Sequence, residues 1–214
     1  MQRGGTGAVA SNVKGEAATL RGVALWPGFL DRPAQERMLE EVMAAMAAAP
    51  PFHPVTRWGK AMSVAMTSAG RFGWFSDGRG YRYVERHPSG VAWPPIPESV
   101  MEVWEAVAPG ARAPECCLMN LYRGSARMGL HQDRDEADFS QPVVSISLGD
   151  EALFRVGGTE RGGRTESAWL RSGDVCMLGG PARLAFHGID RVREGSSDLV
   201  PGGGRINLTL RVVT

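Results

Sequence analysis

The sequence is poor in cysteine. It has 3 cysteines in 214 residues, and two of them, Cys116 and Cys117, are adjacent. Neighbouring side chains on an extended strand point to opposite faces, so this pair is unsuited to a disulfide or to joint metal binding. We therefore expect free, buried or half-buried thiols, which are typical of a reducing cytosol and argue against a disulfide-stabilised secreted fold.

Long apolar runs and an excess of charge are also missing. The longest apolar run, residues 42–49, is far shorter than the roughly 20 residues that span a bilayer. The start of the chain is rich in glycine and lacks the apolar core of a signal peptide, so we expect a cytoplasmic protein without a membrane span. The formal net charge is +1, so contact with nucleic acid would depend on a local basic surface.

Turn-forming residues, by contrast, are plentiful. The chain has 28 Gly and 14 Pro with 43% hydrophobic residues, a composition that favours many turns and short strands over a helical bundle. Strands are predicted at residues 21–26, 62–66 and 81–83. One helix is predicted to begin after an Asp31 cap and to end at Pro50. Its predicted buried stripe is Met38, Leu39, Val42, Met43 and Met46.

The second half of the chain predicts a β fold. A second helix at 97–107, with Val100, Met101, Trp104 and Val107 inward, precedes a series of short strands. These strands are predicted at 115–122, 126–130, 143–148, 152–156, 165–170, 174–178, 183–187 and 205–213. Two helices followed by eight strands predict an α+β, mainly β fold whose core is a double-sheet jelly roll, that is, a double-stranded β-helix.

One short motif suggests a metal site. His131 and Asp133 stand two residues apart, and His187 follows much later. In an extended segment alternate side chains point the same way, so His131 and Asp133 could reach one ion. Two imidazoles and one carboxylate form the facial triad of non-haem Fe(II) oxygenases, which leaves the opposite face of the metal open. Zinc, manganese or nickel could use the same donors, and a solvated polar loop would show the same letters.

The C-terminal run 205–211 alternates polar and apolar residues, which predicts a half-buried strand. Arg205, Asn207 and Arg211 would share one face of it. A guanidinium pairs with a carboxylate through two parallel hydrogen bonds, so this face could hold a small dicarboxylate beside the metal. A solvent-facing strand surface is the alternative.

These motifs together resemble the AlkB family of Fe(II)- and 2-oxoglutarate-dependent dioxygenases, which reverse alkylation damage in nucleic acid. The resemblance runs from about residue 20 to the end of the chain. The segments that carry it are 62–67, 73–74, 80–83, 120–122, 131–136, 144–149, 186–189 and 205–211.

The resemblance implies cofactors and their ligands. Fe(II) would be bound by His131, Asp133 and His187, with 2-oxoglutarate as cosubstrate and O2 as oxidant. Arg205 would hold the distal carboxylate of 2-oxoglutarate, and Arg211 would lie nearer the metal. The full set of implied cosubstrate residues is Asn120, Tyr122, Arg205, Asn207 and Arg211.

The resemblance also implies a domain organisation and a substrate pocket. A flexible N-terminus, 1–19, would precede a single domain, 20–214, in which 20–114 supplies helices and a nucleotide-recognition lid and 115–214 the jelly-roll core. Trp74 would stack on the damaged base, and Asp135 would attract its positive charge. The other implied substrate contacts are Tyr81, Arg82, Tyr83 and Arg161.

The implied reaction is oxidative demethylation of 1-methyladenine and 3-methylcytosine in DNA, with RNA as a further candidate. We expect a monomer that favours single strands, because an unpaired base is cheap to extrude. Two alternatives stay open: an oxygenase that acts on a protein or small molecule, and a non-enzymatic binder of damaged DNA. Residues 75–80, 84–92 and Arg155-Val156, in the lid and pocket wall, differ from bacterial relatives, so the lesion range can differ from theirs.

Overall fold

Regular structure begins with a two-stranded hairpin. The computed structural model describes residues 17–214, so most of the predicted flexible N-terminus lies outside the described residues, and the predicted boundary at residue 20 falls inside the first strand. Strand β1 (Ala18–Leu20) pairs with β2 (Val23–Trp26). Arg21 and Gly22 between them have φ of 49° and 83°, the positive values of a tight two-residue hairpin turn. The strand predicted at 21–26 is therefore confirmed over 23–26, whereas residues 21 and 22 form a turn and a further strand precedes it.

Two helices and eleven further strands follow in the described residues. Their bounds are α1 (Arg32–Ala48), β3 (Ala65–Gly70), β4 (Gly73–Asp77), β5 (Gly80–Val84), α2 (Glu98–Val107), β6 (Cys116–Tyr122), β7 (Met128–His131), β8 (Val143–Gly149), β9 (Glu151–Val156), β10 (Glu166–Leu170), β11 (Val175–Leu178), β12 (His187–Arg193) and β13 (Arg205–Arg211).

These strands form two stacked sheets and a separate hairpin. The larger sheet has the order β1-β2-β11-β8-β13-β6-β3, the smaller one β10-β9-β12-β7, and β4 pairs only with β5. Val143 and Leu178 of the larger sheet share one apolar cluster with Phe154 and Ile189 of the smaller sheet. The jelly-roll core with N-terminal helices is thus confirmed. The chain segment before residue 115 also contributes β1, β2 and β3 to the larger sheet.

The larger sheet is buried on both faces. Ile146 and Leu208 pack with helix residues Val42 and Val100 in one core, while the alternate side chains of the same strands point between the two sheets. Every residue of β13 is buried. The prediction of a half-buried β13 is therefore wrong: its polar side chains lie between the sheets, where they can build an internal site.

Helix α1 begins as predicted and buries most of its predicted stripe. The side chain of Asp31 accepts a hydrogen bond from the Ala34 backbone N–H, and a proline occupies the first turn, both typical of a helix start. Met38 and Val42 are buried, but Met43 is 41% exposed, so its place in the stripe is wrong. On α2, Val103 is fully buried and Met101 only partly.

Two strand predictions are displaced. The strand predicted at 183–187 lies at 187–193, because residues 180–182 form a 3₁₀ turn and the Arg183 side chain is directed into the interior by hydrogen bonds to buried acceptors. The strand predicted at 62–66 lies at 65–70, since its small residues pair along β6. No helix in the described residues is long and apolar enough to cross a membrane.

The two methionines of α1 offer a test of this packing. Met38 is 1% exposed and Met43 41%. Met38→Ala should lower the free energy of unfolding by about 2–5 kcal/mol, because it leaves a cavity in the core. Met43→Ala, the matched control, should change it by about 0.5 kcal/mol or less. Urea unfolding followed by circular dichroism measures both values, and equal losses would contradict the orientation of α1.

Candidate metal centre and substrate cavity

The strand register brings the three predicted metal ligands together. His131 ends β7, His187 begins β12, and the two are direct partners in antiparallel pairing. Asp133 Oδ1 lies 3.7 Å from His131 Nε2, and Asp133 Oδ2 lies 3.6 Å from His187 Nε2. One ligand atom from each residue lies within 4.8 Å of the other two. We call these three residues the metal triad.

Both imidazoles direct the same nitrogen into this space. His131 Nδ1 donates to the Gly129 carbonyl at 2.9 Å, and His187 Nδ1 to the Ala185 carbonyl at 3.0 Å. A carbonyl only accepts, so Nδ1 carries the proton and Nε2 offers a lone pair. Burial, reinforced by the neighbouring His131, lowers the pKa of His187 to about 4. At neutral pH this ring is therefore uncharged, the form that binds a metal.

Asp133 supplies the negative charge of the triad. Its burial opposes ionisation, but the Arg211 guanidinium and the two imidazoles outweigh burial and lower the pKa of the carboxyl. Arg211 Nη2 donates to Oδ1 at 2.8 Å, whereas Oδ2 is buried without a hydrogen-bond partner in the described residues. An unsatisfied buried carboxylate oxygen is costly, and a divalent cation between the two Nε2 atoms would satisfy it. The donor set therefore fits Fe(II).

A second unsatisfied group lies on β13. The guanidinium of Arg205 is 1% exposed, and burial lowers its pKa. Its Nη2 donates to Ser147 Oγ at 3.0 Å, while Nε and Nη1 have no partner in the described residues. No carboxylate of residues 17–214 forms an ion pair with it. Open charged donors in such a site require an anion from outside the chain.

Three further predicted cosubstrate residues lie on β6 and β13 and line the same cavity as this guanidinium. Tyr122 and Asn120 on β6 are the register partners of Arg205 and Asn207 on β13. Asn207 Nδ2 donates to Ser145 Oγ at 2.6 Å, and Asn120 Oδ1 has no partner in the described residues. All four line one cavity of about 840 Å³ that also contains the metal triad. Its polar wall and its size suit a small dicarboxylate beside a metal.

The predicted base-binding residues meet at the same cavity. Trp74 and Tyr81 stack with ring centroids 5.3 Å apart at 27°, on the hairpin formed by β4 and β5, which we call the lid hairpin. Trp74 Nε1 donates to Asp135 Oδ2 at 3.1 Å, so the hairpin contacts the segment that carries His131 and Asp133. Arg161 lines the cavity as well, with its guanidinium carbon 5.3 Å from the Phe186 ring centroid.

Two predicted substrate residues face elsewhere. Arg82 forms two hydrogen bonds of 2.7 Å to Asp77, its neighbour on the lid hairpin. Its guanidinium lies over Phe75, and it is absent from the cavity wall. The Tyr83 hydroxyl donates to Glu136 beneath the hairpin. The alternation of β5 separates Arg82 from Tyr81, and Tyr83 is too deep to line the cavity.

Sequence reasoning missed a buried charge cluster that supports the site. Glu136 pairs with Arg183 at 3.0 Å and lies 3.3 Å from Arg211 Nε. Arg183 Nη1 also donates to the Asp133 backbone carbonyl at 2.7 Å. Two carboxylates and two guanidiniums thus hold one another, and Tyr83 joins them to the lid hairpin. Glu136 lies in the quoted motif 131–136, but nothing in the sequence marks Arg183 as its partner.

Neutralising Glu136 tests how much this cluster contributes to the free energy of unfolding. Glu136→Gln leaves two buried guanidiniums against one carboxylate and should lower the free energy of unfolding by about 3 kcal/mol. Glu105→Gln, the same change on the exposed face of α2, should alter it by about 0.5 kcal/mol or less. Urea titrations of the two variants would refute the role of the cluster if they gave the same midpoint.

Comparisons with known proteins agree with this geometry. The family model of the 2OG-Fe(II) oxygenase superfamily matches residues 22–211. The alpha-ketoglutarate-dependent dioxygenase AlkB homolog of Caulobacter vibrioides is 58% identical over 191 residues, which cover 89% of this chain and 87% of that protein. The nucleic acid dioxygenase ALKBH1 of Mus musculus is 32% identical over 127 residues, 57% of this chain and 32% of that protein.

A solved structure agrees as well. The structure of OsALKBH1 superposes with a TM-score of 0.76 at 30% identity and covers 92% of this chain and 99% of that one. Sequence, fold and metal triad therefore point to one conclusion: the chain belongs to the AlkB family of Fe(II)- and 2-oxoglutarate-dependent dioxygenases.

Proposed function

We propose that this enzyme removes methyl groups from N-alkylated bases in nucleic acid, with 1-methyladenine and 3-methylcytosine in DNA as its substrates. One observation carries the proposal: the metal triad, the unpaired guanidinium of Arg205 and the Trp74–Asp135 pair all line a single cavity. A cation, a dicarboxylate and a flat cationic base would thus meet there. The name of the mouse relative, nucleic acid dioxygenase, supports this substrate class.

The two arginines of β13 have different roles in this proposal. Arg205 has open donors and no acidic partner in the described residues, so it binds the distal carboxylate of 2-oxoglutarate. Arg211 is already paired with Asp133 and Glu136, so it chiefly holds the metal-binding carboxylate in place at the end of the cosubstrate nearer the metal. Asn120, Tyr122 and Asn207 supply further hydrogen-bonding groups.

The protein orients the reactants and shields them from water. Bound Fe(II), with 2-oxoglutarate and O2, supplies the oxidation that turns an N-methyl group into a hydroxymethyl group and 2-oxoglutarate into succinate and CO2. The hydroxymethylated nitrogen then releases formaldehyde and the native base. The chain contributes an apolar wall around the polar groups, including Leu118, Phe154 and Leu178, which limits access of water.

Base selection follows from charge and stacking. Methylation at N1 of adenine or N3 of cytosine creates a cation, and a nearby carboxylate attracts it, most strongly once the bound base excludes water from between the two charges. Asp135 is that carboxylate, and the Trp74 N–H orients it at 3.1 Å. The aromatic pair Trp74 and Tyr81 offers the stacking surface. The preference for single strands, the monomeric state, the single domain 20–214 and the cytoplasmic location stay predictions.

The first experiment is demethylation of a single-stranded oligonucleotide with one 1-methyladenine by iron-loaded enzyme with 2-oxoglutarate and O2. Wild type should form adenine and formaldehyde, and His131→Ala should lose the activity at least a hundredfold, because a metal ligand is removed. His53→Ala, a loop histidine outside the cavity, should retain it. Succinate formation without base repair in wild type would contradict the proposed substrate and favour a protein or small-molecule target.

Trp74 tests the base pocket separately from the metal centre. Stacking contributes roughly 1–3 kcal/mol per base, so Trp74→Ala should reduce demethylation by about tenfold or more. Turnover of 2-oxoglutarate in the absence of nucleic acid should persist, because the cofactor residues are intact. Trp169→Ala, on β10 and outside the cavity wall, is the matched control. Undiminished demethylation by Trp74→Ala would refute the pocket assignment.

A further inference from the structure

A tight turn beside the cavity exposes an aromatic side chain that nothing above explains. Trp58 is 74% exposed, whereas the next most exposed large apolar side chain of the described residues, Tyr81, is 47% exposed. A fully exposed indole forfeits the free energy of burial. We call residues 56–60, which carry it, the entry turn.

The entry turn is held in place by its own hydrogen bonds. Thr56 N donates to the Lys60 carbonyl at 2.8 Å, and Gly59 N donates to the Thr56 carbonyl at 2.8 Å. Lys60 N donates to Thr56 Oγ1 at 3.2 Å. Gly59 has a φ of 78°, which favours glycine. The exposure of Trp58 therefore results from a closed turn whose backbone presents the indole outward.

The entry turn carries two cations, Arg57 and Lys60, within two residues of the indole. The Arg57 guanidinium carbon lies 4.2 Å from the Trp58 ring centroid, over one face. Neither Arg57 nor Lys60 forms a hydrogen bond through its side chain, or an ion pair, among residues 17–214. An exposed aromatic face on a turn with two uncompensated positive charges is suited to a stacked base with adjoining phosphates, because an apolar protein partner would gain nothing from the charges.

The entry turn is continuous with the proposed base pocket. Arg57 and Trp58 line the same cavity as Trp74, Tyr81 and Asp135. A nucleotide strand whose damaged base occupies the pocket would therefore carry its neighbouring nucleotide toward this turn. Arg57 covers one face of the indole, which leaves the other face for that neighbour.

We propose that the entry turn is a second nucleotide subsite, in which Trp58 stacks on an unpaired base next to the damaged one and Arg57 and Lys60 contact the adjoining phosphates. The inference rests on the proposed function and deepens it by assigning a single-stranded substrate longer than one nucleotide. A paired neighbour would keep its base within the duplex stack, so the subsite favours single strands.

The kinetic test compares two substrates of different length. These are 1-methyl-2′-deoxyadenosine 5′-monophosphate and a single-stranded pentanucleotide with 1-methyladenine at its centre. Trp58→Ala should raise KM for the pentanucleotide about tenfold with kcat unchanged, and leave both parameters for the mononucleotide unchanged. Trp58→Phe should restore most of the affinity, since a smaller ring still stacks. Trp169→Ala is the matched control and should behave as wild type.

A binding test separates this subsite from the chemistry. Fluorescence anisotropy of a labelled, unmodified oligothymidylate with iron-free protein should show about tenfold weaker binding for Trp58→Ala. Arg57→Gln and Lys60→Gln should each reduce the slope of log affinity against log salt by about 0.7 for each lost phosphate contact.

The outcomes distinguish the two proposals. Equal loss on both substrates would show that Trp58 shapes the base pocket and would overturn the subsite. If Trp58→Ala changed neither the kinetics nor the binding of oligothymidylate, the subsite would also be overturned, and the turn would have to bind another partner, such as a protein. Should wild type demethylate neither substrate, the proposed function fails, and the anisotropy measurement alone then decides whether the entry turn binds single strands.

Discussion

The buried charge cluster around Asp133 is the constraint on which the rest of the site depends. A carboxylate that binds a metal must be ionised, yet Asp133 lies where burial opposes its charge. Arg211 offsets that cost through the carboxylate, and Arg183 holds the backbone of the same residue. Glu136 then compensates both guanidiniums. The triad is thereby held in position with one carboxylate oxygen still free, since Arg211 donates to Oδ1 and Oδ2 has no hydrogen-bond partner in the described residues.

Strand β13 separates the apolar core under the helices from the cavity between the two sheets. Its apolar residues pack toward the two helices, and its polar residues line the cavity between the sheets. The apolar side chains on the face away from the cavity also have to be kept from water, and the two helices cover them. Arg205 illustrates the energetic consequence, because a buried guanidinium with two open donors is tolerable only where an anionic ligand is expected.

The lid hairpin is joined to the metal site through two contacts of different depth. Near the surface, the Trp74 indole donates to Asp135, and deeper down the Tyr83 hydroxyl donates to Glu136. The base-stacking surface is thus connected to the charge cluster by side chains that follow the metal ligand in sequence. The entry turn with the exposed Trp58 lines the same cavity, so the cavity wall combines the polar and charged groups of the triad and β13 with the aromatic side chains of the lid hairpin and the entry turn.

Much of the architecture and the His131–Asp133 part of the metal triad were predictable from the sequence by itself, because they rest on local rules, whereas His187 was assigned through the resemblance to the AlkB family and is brought in by the pairing of β7 with β12. Asp31 caps a helix through a local hydrogen bond from the Ala34 N–H to its own side chain, alternation separates Ser145 and Ser147 from Ile146, and His131 and Asp133 are two residues apart on an extended segment. Only the tertiary structure decided the rest. The pairing of Arg183 with Glu136, the exposure of Met43 and the outward face of Arg82 depend on which surfaces other elements cover. That coverage is set by long-range packing, and a single chain segment carries no record of what will lie against it.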